Sequence, residues 1–142
     1  MNAEELWKQS GLTGSYEAWA FGDAPDKLAG LVLDGVKRAT SSAFAVYEKT
    51  GEPVPKPGEY SVILDSKDQA VCIIRTTAVT IVPYREVTAE FAAKEGEGDR
   101  SLAYWRSVHE PFFTGELAEA GMTFDESTPV VCEEFEVVTT AH

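Results

Sequence analysis

The stretch LDGVKRATSS, Leu33 to Ser42, sets an amine three residues ahead of a hydroxyl in the spacing Gly35-x-Lys37-x-x-Thr40. Gly35 turns the chain where a side chain would clash, which leaves Lys37 on a loop and Thr40 at the start of the next element. A lysine beside a hydroxyl takes its proton or steadies its alkoxide once desolvation or a neighbouring cation lowers the amine's pKa. The plainer reading is a basic loop after a helix C-terminus, where Lys and Arg suit the helix dipole. The glycines of a phosphate-cradling loop are missing, so no nucleoside triphosphate site follows.

A second candidate is EGEGDRSLAYWR, Glu95 to Arg106, in which Glu95, Glu97 and Asp99 crowd around two glycines. Carboxylates this close oppose one another's ionisation, which suits one of them to acid or base work. They also offer oxygen to a divalent cation, although the full calcium-loop pattern is absent; the plain alternative is a solvated turn in which Asp99 caps the next helix. A third candidate is aromatic: Trp19 and Phe21 in WAFGD, with Tyr104 and Trp105, are able to stack on a base without net positive charge. Trp105 and His109, four residues apart, read better as structural, and Ser41 and Ser42 either donate to a ligand or continue a strand. Neither Ser/His/Asp nor Cys/His catalysis is readable, because His142 is terminal and each cysteine sits in an apolar run.

Positioning these residues requires a scaffold. Helical pieces are expected at 3–9 and 15–20, and a helix of about ten residues after Asp23 as cap and Pro25 in its first turn, stopped by Gly35. Ala39 to Tyr47 reads as a strand, KTGEPVPKPGEY as a loop, and Tyr60–Leu64 and Ala70–Val82 as strands, the second bending near Arg75 to Ala78. EVTAEFAAKEG reads as a helix with Thr88 as N-cap. Asp99 is then expected to cap a helix whose apolar face is Leu102, Trp105, Val108 and Phe112, with a further short helix near 113–128 and a final strand in VVCEEFEVV. Such a mixture without a regular βα repeat predicts an α+β fold: a small, partly closed barrel with flanking helices, in one domain spanning 1–142.

Composition narrows the function classes. Twelve Lys and Arg against 24 Asp and Glu in 142 residues give a formal charge of -12, which repels long nucleic acid and argues against double-stranded DNA as a partner. A nucleoside, a nucleotide or a short single strand remains compatible with a local site. Cys72 and Cys132 read as buried free thiols, and two cysteines with two histidines at no metal-site spacing predict neither a structural metal nor another cofactor. The acidic N-terminus is unlike a signal peptide and no apolar run is long enough to span a bilayer, so the expectation is a cytoplasmic protein without a membrane partner, its oligomeric state open.

WAFGD, GVKRATSS, PVPKPGEYSVILD, FAAKEGEGDRSLAYWR and VVCEEFEVV, in that order, make the chain resemble the ASCH domain family, within the PUA-like β-barrels, and in particular its larger bacterial members. The resemblance implies a cleft between barrel and helices that binds RNA or nucleosides. Some relatives cleave single-stranded RNA, and compact ones remove the acyl group of N4-acetylcytidine with a lysine, a threonine and a glutamate. Carried over motif by motif, these are Lys37, Thr40 and Glu95. The residues themselves add Trp19, Phe21, Ser41, Ser42, Glu97, Asp99, Tyr104 and Arg106 as ligand-binding candidates. After the threonine, Ser41, Ser42, Ala43 and Phe44 replace a segment that carries an arginine in the compact members. Binding, amide hydrolysis and metal-dependent RNA cleavage all stay open on the sequence.

Overall fold

The computed structural model describes residues 1–22 and 24–141, so the expected cap at Asp23 and the terminal His142 lie outside the described residues. The elements run α1 (Ala3–Ser10), β1 (Glu17–Ala20), α2 (Pro25–Leu33), β2 (Ala39–Ala43), α3 (Phe44–Thr50), β3 (Tyr60–Leu64), β4 (Ala70–Pro83), α4 (Ala89–Glu95), α5 (Leu102–Glu119) and β5 (Pro129–Thr140). The five strands form one sheet in the order β1-β3-β4-β5-β2. β1 pairs parallel to β3 and the other pairs are antiparallel. The sheet curls into a half-barrel whose two edges, β1 and β2, carry Trp19 and Thr40 to Ser42, while the acidic segment from Glu95 joins α4 to α5.

Its curvature has local causes. The register of β4 against β5 shifts between Ile73 and Ile74 and again between Thr76 and Ala78, where the sequence suggested a bend. Bulges of this kind raise the local twist and bend the strand. Apolar side chains fill both faces: Leu6 and Trp7 of α1 pack on Val62 and Ile73, and Ala29 and Val32 of α2 pack on Ile63, Ile74 and Phe135. A third cluster joins Phe91, Trp105, Phe113 and Leu117 of α4 and α5 to Ala39, Ala43, Val130 and Cys132 of β2 and β5. Full burial of a side chain such as Phe113 or Leu117 stabilises by about 1.5–3 kcal/mol. Both cysteines are buried and free, and burial pushes each thiol up to about 12.

Four local expectations are corrected. Residues 15–20 contribute a strand, not a helix: pairing Glu17–Ala20 with Ser61–Leu64 satisfies the backbone of an edge and outweighs the modest helix preference of Glu and Ala. The strand expected over 39–47 stops at Ala43, and Phe44–Thr50 is helical, closed by Gly51 at φ +74°. Ser101, not Asp99, is the N-cap of α5, its hydroxyl accepting from the Tyr104 amide, while Asp99 accepts from the Ser101 amide one step outside. Finally, α5 continues unbroken through Pro111, and its buried face is Trp105, His109, Phe113 and Leu117. Phe112 is exposed, since spacing by four carries the apolar stripe one residue away from the face read in the sequence. Thr88 caps α4 as expected, accepting from the Phe91 amide at 3.1 Å. No helix among the described residues is long and apolar enough to cross a membrane.

Candidate functional site: a buried ionic centre in the barrel opening

The carbonyl end of α4 meets the loop between α2 and β2. Arg38 N donates to Lys94 O at 2.7 Å, and Lys37 Nζ donates to Glu95 O at 3.3 Å. A cation is favoured there, because the last carbonyls of a helix carry its negative pole. The approach depends on Gly96: it sits at φ +73°, and a Cβ there would lie 2.4 Å from Val36 O. Glycine therefore lets the two backbones touch and lets the chain turn so that Glu95 and Glu97 both reach Lys37.

Glu95 organises the centre. Its Oε1 accepts from Lys37 Nζ at 3.2 Å. Its Oε2 accepts from Ser41 Oγ at 2.6 Å and from the Trp105 indole N–H at 2.5 Å, and lies 3.6 Å from His109 Nε2. Glu97 Oε2 is 3.0 Å from the same ammonium. Lys37 and Glu95 are 2% and 1% exposed, so their charges are met by protein partners and not by water. Burial alone would raise the Glu95 carboxyl; the donor and charge of His109, the charge of Lys37 and the hydroxyl of Ser41 outweigh it and hold the group at about 2. For His109 burial acts downward, and the contacts with Glu95 reverse it, so its pKa lies above the ordinary value. Its Nδ1 lies 2.9 Å from Trp105 O while Nε2 faces a carboxylate. Both nitrogens thus face acceptors, which favours the doubly protonated ring. Two carboxylates and two cations, Lys37 and His109, then compensate one another. Phe21 completes the surround, with Lys37 Nζ 5.3 Å from its ring centroid.

Above this centre lies a cleft of about 1300 Å³. It is the opening of the half-barrel, since both sheet edges, β1 and β2, line it. Lys37, Thr40 and Glu95, drawn from two distant segments, all line it, as do Trp19, Phe21, Ser41, Ser42, Glu97 and Tyr104. Asp99 and Arg106 are exposed and do not line it. Asp99 is spent on the turn before α5, and Arg106 lies off the buried Trp105–His109 stripe of that helix. Trp19 and Phe21 meet edge to face at 4.9 Å. Ser42 Oγ and Tyr47 Oη share a hydrogen bond of 2.8 Å. The Thr40 hydroxyl makes no hydrogen bond to a described residue, which leaves it for a ligand.

Three contributors were not picked out from the sequence. Trp105 and His109 were read as structural, yet their nitrogens complete the Glu95 surround, with the rings stacked at 4.4 Å. Glu133 lies directly opposite Thr40 in the β2–β5 register, hence on the same face of the sheet, and is 7% exposed on the cleft lining. The alternation of VVCEEFEVV carried that signal, because Glu133 falls between Val131 and Phe135 on a buried face. Glu95, Glu97 and His109 also present ligand atoms within 4.8 Å of one another, an arrangement fit for a cation, but Lys37 Nζ already bridges the two carboxylates.

Residues 17–139 match the ASCH domain family. The structure is similar to the crystal structure of an ASCH domain from Lactobacillus crispatus, with a TM-score of 0.89 and 32% identity over 96% of this chain and 93% of that one. It is also similar to protein EF3133 of Enterococcus faecalis, with a TM-score of 0.85 and 37% identity over 96% and 85% of the two chains. A hypothetical protein, PH0355, shares the fold at 14% identity and a TM-score of 0.59, over 87% of this chain and 100% of that one. No curated protein matches the chain. The family match over most of the length, and the agreement of the half-barrel with a solved ASCH domain along nearly the whole chain, lead to one conclusion: this chain belongs to the ASCH domain family.

Proposed function

We propose that the protein is a binding module for a nucleobase, carried by a free nucleoside or by the end of a short single-stranded RNA. The observation that carries this reading is the cleft itself. Its volume of about 1300 Å³ accommodates a ligand of nucleoside size with room to spare, and it joins aromatic walls at Trp19 and Tyr104 to hydroxyls at Thr40 and Ser42. Stacking on the rings supplies affinity that does not depend on net charge, and the hydroxyls and the outer oxygen of Glu97 supply direction. Lys37 in this reading is a donor and a fixed charge, because three oxygens already hold its ammonium.

A hydrolytic reading keeps support from one feature: the Thr40 hydroxyl has no hydrogen-bond partner among the described residues and shares the cleft with Lys37 and Glu95. Attack by Thr40 Oγ on the carbonyl carbon of an acylated base would form an ester and break the C–N bond, with the hydroxyl proton passing to the leaving nitrogen. Against it, the Lys37 nitrogen is already engaged by three oxygens, and a carboxylate held near about 2 is a poor proton shuttle. The metal-dependent ribonuclease reading has less support still, since a cation at Glu95 and Glu97 has to displace Lys37.

Titration calorimetry with nucleosides and a short single-stranded RNA, beside chromatography of an N4-acylated cytidine incubated with the protein, tests the proposal. Saturable binding with no released acid is expected. Release of the acid, abolished in Thr40→Ala, would replace the binding reading by the hydrolytic one.

A further inference from the structure

The ionic centre is self-compensated, but the rest of the cleft is not. Among the described residues, four other carboxylates, Glu17, Glu52, Glu59 and Glu133, share the lining with a single further lysine, Lys27. None of the four takes part in a salt bridge among the described residues. Glu17, Glu52 and Glu59 are exposed at the mouth, whereas Glu133 is 7% exposed. Thr76 Oγ1 donates to Glu133 Oε2 at 2.7 Å; the other oxygen, Oε1, takes no hydrogen bond from a described residue. A largely buried carboxylate with one oxygen turned to a cavity is placed to accept a hydrogen bond from whatever enters it, water or the N–H of a ligand. Burial, and then the charges of Glu59 and Glu17, push its carboxyl up, whereas the hydroxyl of Thr76 acts downward.

Resting on the nucleobase reading, we propose that Glu133 determines specificity in the cleft: it receives the amino edge of a base that is cationic or readily protonated, such as cytosine or adenine, in preference to uracil. A carboxyl group and an N=C–NH2 edge pair through two hydrogen bonds and share one proton, which sits on the ring nitrogen or on the acid. The exocyclic amine donates to one oxygen, and the ring nitrogen and the other oxygen hold the proton between them. Pairing a carboxylate with the amino group of cytosine is an established mode of base recognition. The Thr40 hydroxyl, opposite Glu133 in the register, lies beside this edge and is able to read the neighbouring ring substituent. Glu17 and Glu59 strengthen the preference for positive charge and disfavour a phosphate inside the cleft, leaving any phosphate of the ligand toward the rim. The rings at Trp19 and Tyr104 add a second preference of the same sign, because a cationic base stacks on an aromatic face more favourably than a neutral one.

The test compares two nucleosides of nearly equal shape: cytidine, whose edge carries an amino group and a basic ring nitrogen, and uridine, whose edge carries a carbonyl and a ring N–H. Calorimetric titration of the full chain is expected to give a Kd about tenfold lower for cytidine, a difference of about 1.4 kcal/mol. The ratio is expected to fall to within about twofold in Glu133→Gln, which preserves the acceptor for Thr76 and removes the charge. Equal affinities in the unaltered protein, or a ratio unchanged in the Gln variant, overturn the assignment to Glu133. A further comparison needs no variant: cytidine is expected to bind more tightly than its monophosphate, and tighter binding of the monophosphate overturns the proposal. If none of these nucleosides binds, the nucleobase reading itself fails and takes this one with it; binding without a preference for cytidine over uridine removes only the present inference.

Discussion

Replacing Glu95 by Gln keeps the shape of the buried side chain and removes its charge, so the cost can be worked from its neighbours. Lys37 Nζ faces one oxygen, while Ser41 Oγ, Trp105 Nε1 and His109 Nε2 face the other. A carboxamide has one acceptor oxygen, so its NH2 must meet either the ammonium or the cluster of three donors. Leaving one partner of a buried ion pair uncompensated costs about 3–5 kcal/mol. An independent route gives a similar size: lowering a carboxyl from 4.5 to about 2 corresponds to roughly 3 kcal/mol of linkage, fully applicable because the group is buried. For a chain of this length a loss of that size lowers Tm by roughly 10–15 °C. The sign follows from the depressed pKa: the contribution is present above the unfolded value of 4.5 and is lost as pH falls toward about 2. Urea denaturation of both proteins between pH 7 and pH 2 is the assay. Glu95→Gln is expected to be less stable at neutral pH by the stated amount and to approach the unaltered protein in acid. A Gln variant that matches the unaltered protein at pH 7, or differs from it by the same amount at every pH, would refute the reasoning.

Three further outcomes follow from the same geometry. Gly96→Ala is expected to destabilise by about 1–3 kcal/mol in denaturant melts, since the added methyl falls on the Val36 backbone at a positive φ; Gly98→Ala shares the positive φ, but its nearest neighbour is the Tyr104 ring, which is able to turn aside, and it should cost less. The imidazole of His109, followed by NMR, is expected to titrate above 6.5 and to move back toward that value in Glu95→Gln; its contribution to stability is complete below 6.5 and is lost as pH rises through the folded pKa. Cys72 and Cys132, with thiols pushed up to about 12, are expected to resist a thiol reagent in the native protein and to react together on unfolding.

The residues that line the cleft were more legible in the sequence than the elements around them. Lys37, Thr40 and Glu95 were legible because the glycine that turns the chain before Lys37 and the acidic run after α4 stand out against an apolar background. Trp105 and His109 were harder to read as site residues: at spacing by four they look like any buried stripe, and only the end of α4 shows what their nitrogens face. β1 was hidden for a different reason. EAWA is short and its neighbour β3 lies more than forty residues away, so nothing local reveals that pairing. The break between β2 and α3 was obscured because Phe44 and Tyr47 suit a strand, whereas the left-handed Gly51 that closes the helix comes several residues later. Glu133 was present in the pattern as an acid on a buried face, but its relation to Thr40 depends on a register that joins segments over ninety residues apart.

The central claim is that a base occupies the opening between β1 and β2, above the Lys37–Glu95 centre. Backbone and indole chemical shifts followed during titration with cytidine address it most directly. Saturating changes confined to Trp19, Phe21, Ser42, Glu97, Tyr104 and Glu133 are the result expected; changes centred on the outer face of α5 near Arg106 and Glu110, with the cleft resonances unmoved, would contradict it.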